Sequence, residues 1–238
     1  MLAFDPARHH ARTDPHRRGS RLADVILGGQ DGLVNVLGVI LGVAAASHSA
    51  RLVLAAGLAA TFAESVSMAA VAYTSSVAEG DRYESERARE YRHVRNVPSL
   101  ERDEIRALYA RKGFDGELLE RIVETITANE DVWVAVMMSE EHQLAPIERS
   151  ASVRSALVVG GAALVGSFVP LLPFVWLPVG VASGVAIALA AGVLFALGAY
   201  KARVTIGRPW RAGIELAIIG ILSALVGYLV GVAFQVTS

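Results

Sequence analysis

Five stretches of this sequence are each long and apolar enough to cross a lipid bilayer, and this constrains the fold most strongly. A bilayer core about 30 Å thick requires roughly 20 mostly apolar residues in a helix. The whole chain is 53% hydrophobic with a mean hydropathy of +0.45. The sequence therefore predicts an all-α, polytopic membrane protein with five transmembrane helices, at about 22–46, 52–78, 154–172, 178–200 and 212–236.

A charged insert separates the second span from the third. Residues 79–149 contain 17 of the 23 acidic residues and 11 of the 22 basic residues, a local net charge of −6. Helical periodicity, interrupted by Pro98 and Gly113, predicts that the insert consists of three helices. They are expected over about Glu79–Val97 (a continuation of the second span), Leu100–Lys112 and Asp115–His142.

The distribution of Lys and Arg predicts which side of the membrane each segment faces. Basic residues concentrate in the N-terminal tail, in the insert and in the link 201–211, whereas the opposite side has only Arg51. The positive-inside rule places the basic segments in the cytoplasm. We predict a basic cytoplasmic tail at 1–21, transmembrane helices 1–2 at 22–78, a cytoplasmic helical domain at 79–149 and transmembrane helices 3–5 at 150–238.

Composition and missing motifs exclude several kinds of chemistry. The chain has no Cys, so disulfides, thiolate metal sites and iron–sulfur clusters are excluded. A net charge of −1 excludes a nucleic-acid partner held by bulk positive charge. The sequence contains no phosphate-binding Gly-x-x-x-x-Gly-Lys loop, no His-Glu-x-x-His pair and no Gly-x-Ser-x-Gly turn. Any uphill transport would therefore have to be coupled to an ion gradient.

Polar and very small residues recur along one face of the first span. Ionisable residues inside a membrane are costly and are functional candidates by default. The spacing of three or four residues suits close helix contact, with a carboxylate facing a partner or a pore. We call this face the seam; it consists of Asp24, Gly28, Asp31, Asn35, Gly38 and Gly42.

The second span carries two further candidates, Glu64 and Met68. Counted from the cytoplasmic edge, Asp31 and Met68 both lie about nine or ten residues deep, and Glu64 roughly one turn deeper. A carboxylate and a thioether at one level would shift metal preference from hard ions toward softer ones. From the residues alone, simple packing by Met68 and a local hydrogen bond of Glu64 remain open.

The insert places possible metal ligands on defined helical faces. Glu90-Tyr-Arg-His93 has the Glu-x-x-His spacing that di-iron helical bundles use. Charge-rich helices are also commonly just solvated faces, and that interpretation remains open here. The candidates are Glu86, Glu90, His93, Glu101, Glu104, Met137, Met138 and Glu141.

Several of these motifs together resemble the vacuolar iron transporter family. The resemblance runs in order over about residues 22–236 and includes Asp31-Gly-Leu-Val, Ala63-Glu-Ser-Val-Ser-Met68, the acidic insert and Trp133-Val-Ala-Val-Met-Met-Ser-Glu-Glu141. It implies a homodimer with a pore between the first two helices of each subunit. It also implies exchange of cytosolic Fe²⁺ for protons, with Mn²⁺, Zn²⁺ and Co²⁺ as further cargo candidates, no cofactor and no enzymatic activity.

The resemblance also assigns residues. Asp31 and Met68 match the family's transmembrane metal-binding pair, and Glu64 is a candidate proton relay. This chain has His93 where the family pattern has a glutamate, and a neutral imidazole is still a metal ligand. The positions that match the cytoplasmic metal-binding domain are Glu90, Glu101, Glu104, Met137, Met138 and Glu141.

Two other functions stay open on the sequence alone. One is a membrane-tethered ferritin-like oxidase or store, although a single Glu-x-x-His per chain argues against it. The other is a passive channel for divalent ions. The Ala-, Arg- and Val-rich composition favours a prokaryotic cell membrane as the location, with a vacuolar-type membrane as the alternative.

Overall fold

The computed structural model describes residues 19–205 and 207–234, and every regular element within them is helical. Most of the predicted tail, residues 1–18, lies outside the described residues, and residues 19–21 already belong to the first helix. The helices are α1 Gly19–Ser47, α2 Ala50–Asn96, α3 Pro98–Ala110, α4 Gly116–Thr127, α5 Glu130–Val136, α6 Arg149–Phe168, α7 Pro173–Trp176, α8 Val179–Val204 and α9 Pro209–Ala233.

Five of the described segments are long and apolar enough to cross a membrane, which confirms the predicted all-α fold with five candidate spans. Several boundaries differ from the prediction by a few residues, because helices continue past the apolar core with polar residues in their terminal turns. The last residues of the predicted fifth span, from 235 on, lie outside the described residues. The spans are Leu22–Ser47, Ala50–Asn96, Arg149–Trp176, Val179–Val204 and Pro209–Ala233.

The chain divides into two compact units, with one boundary inside α2 after Ala72 and the other inside α6 before Arg154. The first unit contains α1, the first half of α2, most of α6 and all of α7–α9. The second unit, Tyr73–Val153, contains the rest of α2 with α3, α4 and α5. The second unit overlaps the predicted insert, residues 79–149, in sequence, and the membrane and cytoplasmic locations of the two units stay predictions.

The first unit is built around α1. Its residues Leu33, Leu37 and Ile40 are fully buried in an apolar cluster. On α8 the buried positions recur every four residues and are mostly alanine, which lets the two backbones lie close together. These α8 residues are Ala182, Ala186, Ala190 and Leu194.

Glycine pairs bring α1 and α9 into direct backbone contact. A Cβ added at Gly227 would lie 2.1 Å from the carbonyl oxygen of Gly38, and one at Gly231 would lie 2.1 Å from that of Gly42. No side chain fits in such a gap, so the close approach requires glycine at these positions. The close helix contact predicted for the seam is confirmed for these glycines, and α9 of the same chain supplies the partner surface.

The second unit has an apolar core of its own, which includes Val94, Ile105, Val123 and Trp133. The helix predicted from Asp115 to about His142 is instead two helices, α4 and α5. The break occurs because Asn129 caps α5. Its side-chain oxygen accepts hydrogen bonds from the backbone N–H groups of Asp131 at 2.9 Å and of Val132 at 3.1 Å.

Candidate metal sites

Three side chains of the second unit converge at the junction of α2 and α3. Helix α2 ends at Asn96 and α3 begins at Pro98, so the tight turn brings Glu101 back alongside the last turns of α2. One ligand atom from each of Glu90, His93 and Glu101 lies within 4.8 Å of the others. The His93 Nδ1 is 3.3 Å from the Glu101 Oε1 and 3.9 Å from the Glu90 Oε1.

Both carboxylates of this group are buried. Glu90 is 3% exposed and Glu101 is 2% exposed. The Oε2 atom of each is also buried and accepts no hydrogen bond from the described residues. A buried carboxylate oxygen without a donor is unfavourable unless it takes up a proton or a cation. This arrangement therefore suits the binding of a positive ion.

Two further acids surround the buried pair. The Glu104 carboxyl lies within hydrogen-bonding reach of Glu101. Burial, together with the neighbouring carboxyls of Glu104, Glu90 and Glu141, raises the pKa of Glu101 to about 7. Burial and the carboxyls of Glu104 and Glu90 also raise the pKa of Glu141. The structure thus brings together with His93 the four glutamates that the resemblance assigns to the metal-binding domain, Glu90, Glu101, Glu104 and Glu141.

His142 is a member of this cluster that sequence reasoning missed. Its Nε2 lies 3.0 Å from the Glu90 Oε1. A π-helical turn over Met137–Glu141 precedes it, and the His142 N–H donates to the Met137 carbonyl at 3.2 Å. The wider turn rotates the following residues relative to an α-helix, and such turns are frequent at functional sites. The sequence contains no signal that distinguishes a π turn from a continued α-helix here.

Met137 and Met138 are buried in the apolar core of the second unit. They are 0% and 2% exposed and belong to the same cluster as Val94, Ile105 and Trp133. In this structure they act as packing residues between the helices. Their role as metal ligands stays a prediction.

A second polar group lies in the first unit, between α1 and α2. The Asn35 side-chain amide donates to the Asp31 Oδ2 at 3.3 Å. The Glu64 carboxyl lies within hydrogen-bonding reach of both Asp31 and Asn35. Met68 is one helical turn after Glu64 and is half-buried. The short link at Ser47–Ala50 makes α1 and α2 consecutive helices, which lets these side chains meet.

Comparison with known proteins then decides the family. The sequence model of the VIT family matches residues 22–232. The chain belongs to the VIT family. Similar proteins include "Vacuolar iron transporter 1" of Oryza sativa subsp. japonica, 31% identical over 99% of this chain and 95% of its own length. The protein of the same name from Tulipa gesneriana is 32% identical over 99% and 93%. "Vacuolar iron transporter" of Plasmodium falciparum is 27% identical over 90% and 82%.

Membership of the VIT family settles the class of protein. Members of the VIT family are transporters and not enzymes, so the predicted absence of enzymatic activity is confirmed and the alternative of a ferritin-like oxidase is wrong. The chain is a membrane transporter of metal ions. The metal is its cargo, and no cofactor is needed.

The predicted location in a prokaryotic cell membrane is wrong. The similar proteins from Oryza sativa, Tulipa gesneriana, Arabidopsis thaliana and Eucalyptus grandis all carry the name of a vacuolar iron transporter. The prediction rested on a composition rich in Ala, Arg and Val. Those residues satisfy the apolar and positive-inside requirements of any bilayer, so they do not distinguish one membrane from another.

Proposed function

We propose that this VIT-family chain carries Fe²⁺ out of the cytoplasm across its membrane in exchange for protons, through a pore at a homodimer interface. The observation that carries the proposal is the pair of buried glutamates beside His93, each with an oxygen that lacks a hydrogen-bond donor. Carboxylate and imidazole together suit Fe²⁺, and they also accept Mn²⁺, Zn²⁺ and Co²⁺. The names of the similar proteins favour iron among these ions.

In this proposal the insert, residues 79–149, lies in the cytoplasm and collects the metal. Its net charge of −6 attracts cations, and the Lys and Arg distribution supports its cytoplasmic orientation. Met137 and Met138 bias the site toward softer ions if a change of packing exposes a sulfur atom to the metal. The proposed ligands are Glu90, His93, Glu101, Glu104, Met137, Met138 and Glu141.

The proposed transmembrane site consists of Asp31 and Met68, with Glu64 as the proton relay. Two carboxyl groups in contact repel each other when both are ionised, and either a proton or a metal ion held between Asp31 and Glu64 relieves that repulsion. Arrival of Fe²⁺ releases that proton, and departure of Fe²⁺ lets a proton return. This alternation of metal and proton at one site couples their movements in opposite directions.

The homodimer is supported by the exposure of two carboxyls on the first and second helices. Asp31 and Glu64 are only half-buried, although ionisable groups that face lipid are costly. A second copy packed on this side would cover both carboxyls and create a polar path between the subunits.

Flux measurements in proteoliposomes test this function. Anaerobic Fe²⁺ uptake is measured with and without an imposed pH gradient for the wild type, Asp31→Asn and the matched control Asp24→Asn. Asp24 lies on the same helix but is not one of the proposed ligands. Its Oδ2 instead accepts a hydrogen bond from the Ser155 hydroxyl at 3.0 Å. We expect gradient-driven uptake that Asp31→Asn abolishes and Asp24→Asn keeps. Uptake that ignores the gradient would instead indicate a passive channel.

A further inference from the structure

We propose that His142 is a metal ligand, and that His93 and His142 together make the insert site a mixed imidazole–carboxylate site that prefers borderline ions such as Zn²⁺, Co²⁺ and Fe²⁺ over Mn²⁺. The inference rests on the proposed function, because it concerns selectivity at the same metal-collecting site. It adds a ligand that neither the spacing of residues nor the resemblance assigned.

Three of the distances within the cluster are short enough for two ligands of one bound ion. When each ligand atom lies about 2.1 Å from a metal, adjacent ligands are about 3.0 Å apart in an octahedron and about 3.4 Å apart in a tetrahedron. The His142 Nε2 lies 3.0 Å from the Glu90 Oε1, and the His93 Nδ1 lies 3.3 Å from the Glu101 Oε1. A third pair, His93 Nδ1 and Glu90 Oε1, is 3.9 Å apart, below the limit of about 4.2 Å for opposite ligands. Glu90, His93 and Glu101 have ligand atoms that all lie within 4.8 Å of one another, and His142 adjoins this group through its contact with Glu90.

The burial of the two carboxylates independently indicates a ligand at this position. The side chains of Glu90 and Glu101 are 4% and 3% exposed, and the Oε2 of each accepts no hydrogen bond from the described residues. Both carboxylates direct Oε1 toward an imidazole. A cation bound by Glu90, His93 and Glu101 would satisfy the two buried carboxylates at once, and the His142 Nε2 lies beside the Glu90 oxygen that would hold it.

The two imidazoles determine which ions this site favours. Imidazole nitrogen suits Zn²⁺, Fe²⁺ and similar ions, whereas sites made only of carboxylates and carbonyls suit Mg²⁺, Ca²⁺ and Mn²⁺. A neutral imidazole ligand carries no charge, whereas a carboxylate ligand carries one negative charge. A site with two imidazoles is therefore less negative than a site made only of carboxylates, and this weakens the attraction for hard ions most. A Glu90 carboxylate beside His142 further orients the ring before the metal arrives.

Metal titration of the full-length protein in detergent tests the assignment. Zn²⁺ and Mn²⁺ affinities and the visible Co²⁺ spectrum are measured for the wild type, His142→Gln and His142→Glu. His48→Gln is the matched control, because it removes an exposed imidazole from the link between α1 and α2. We expect His142→Gln to lower Zn²⁺ affinity at least tenfold with little change for Mn²⁺, and to weaken and shift the Co²⁺ bands. His142→Glu should raise Mn²⁺ affinity relative to Zn²⁺, and the control should match the wild type.

Two outcomes would overturn the inference. One is a His142→Gln protein with the wild-type Co²⁺ spectrum and the wild-type ratio of Zn²⁺ to Mn²⁺ affinity. The other is an equal loss for both metals, which indicates that His142 only positions Glu90. The variants Glu90→Gln and Glu101→Gln separate this result from the proposed function. If they lose metal while the His142 variants do not, metal collection stands without His142; if they bind metal normally, the proposed function fails as well.

Discussion

The buried carboxyl of Glu101 is the residue whose ionisation most strongly links the metal site to pH. Its pKa of about 7 is raised from 4.5 by burial and by the carboxyls of Glu104, Glu90 and Glu141. Between those two values the folded protein binds more protons than the unfolded chain. The stability of the metal-free protein therefore falls as pH rises from about 4.5 to about 7. A metal ion removes this penalty because it compensates the buried negative charge.

A pH titration of metal binding follows from this residue. Below pH 7 the metal must displace the Glu101 proton, so we expect apparent affinity to rise up to about tenfold per pH unit and to level off above pH 7. Isothermal titration of the full-length protein from pH 5.5 to 8 measures the slope. Glu101→Gln should bind more weakly and with a flatter slope, whereas Glu117→Gln, on the exposed start of α4, should keep the wild-type slope. An unchanged slope in Glu101→Gln would contradict this account.

Individual candidate residues could be predicted to different extents. The spacing of Glu90 and His93 indicated a shared helical face, and Pro98 indicated where that helix ends. The return of Glu101 to this face is seen only in the structure. The contribution of His142 depends on a π turn, and the burial of Met137 and Met138 depends on how four helical segments pack together. Both depend on long-range contacts that residue spacing does not encode.

Among the elements, α1 and α9 show how backbone contact limits substitution. The space beside Gly227 is occupied by the Gly38 carbonyl, which cannot move without moving α1. We expect Gly227→Ala to destabilise the protein by about 1–3 kcal/mol, the usual range for overpacking. Gly184→Ala on α8 is the matched control, since a Cβ there meets no described atom within 4 Å. Thermal unfolding in detergent should separate the two variants, and equal melting temperatures would contradict the close contact.

The N-terminus of α5 gives a second test at the scale of elements. Asn129 caps this helix with two hydrogen bonds, so Asn129→Ala should cost about 1 kcal/mol of stability. Asn129→Asp keeps the capping oxygen and should stay within a few tenths of the wild type. Unfolding of the full-length protein, followed by tryptophan fluorescence and helical circular dichroism, measures both variants. An alanine variant as stable as the aspartate variant would show that the cap contributes nothing.

The sequence predicted the existence of the helices better than their ends. Apolar length alone identified all five spans, because lipid requires backbone hydrogen bonds to be satisfied within a helix. The division between α4 and α5 had a readable signal, since Asn129 stands directly before two acidic residues. The sequence contained no such signal for the residues of α9 that contact the seam glycines. Close backbone contact with α9 depends on how helices far apart in sequence pack, which the three-to-four-residue spacing leaves open.

At the scale of the whole molecule, the proposed dimer can be tested by cross-linking. The chain has no Cys, so a single engineered thiol gives an unambiguous result. Asn35 is exposed beside Asp31 on α1, and two copies should meet if the pore lies between the subunits. We expect Asn35→Cys to form a disulfide-linked dimer on oxidation in the membrane. Val165→Cys, which is exposed on α6, should remain monomeric on a non-reducing gel. The opposite pattern would place the interface elsewhere.

Counter-transport of protons by an iron gradient tests the central claim most directly. Vesicles reconstituted with the wild-type protein and loaded with a pH-sensitive dye receive Fe²⁺ on the outside under anaerobic conditions, with no initial pH difference. The account predicts Fe²⁺ uptake together with an internal rise in pH as protons leave, and neither change with Asp31→Asn. Uptake of Fe²⁺ without any internal pH change, with the membrane potential clamped, would contradict proton exchange.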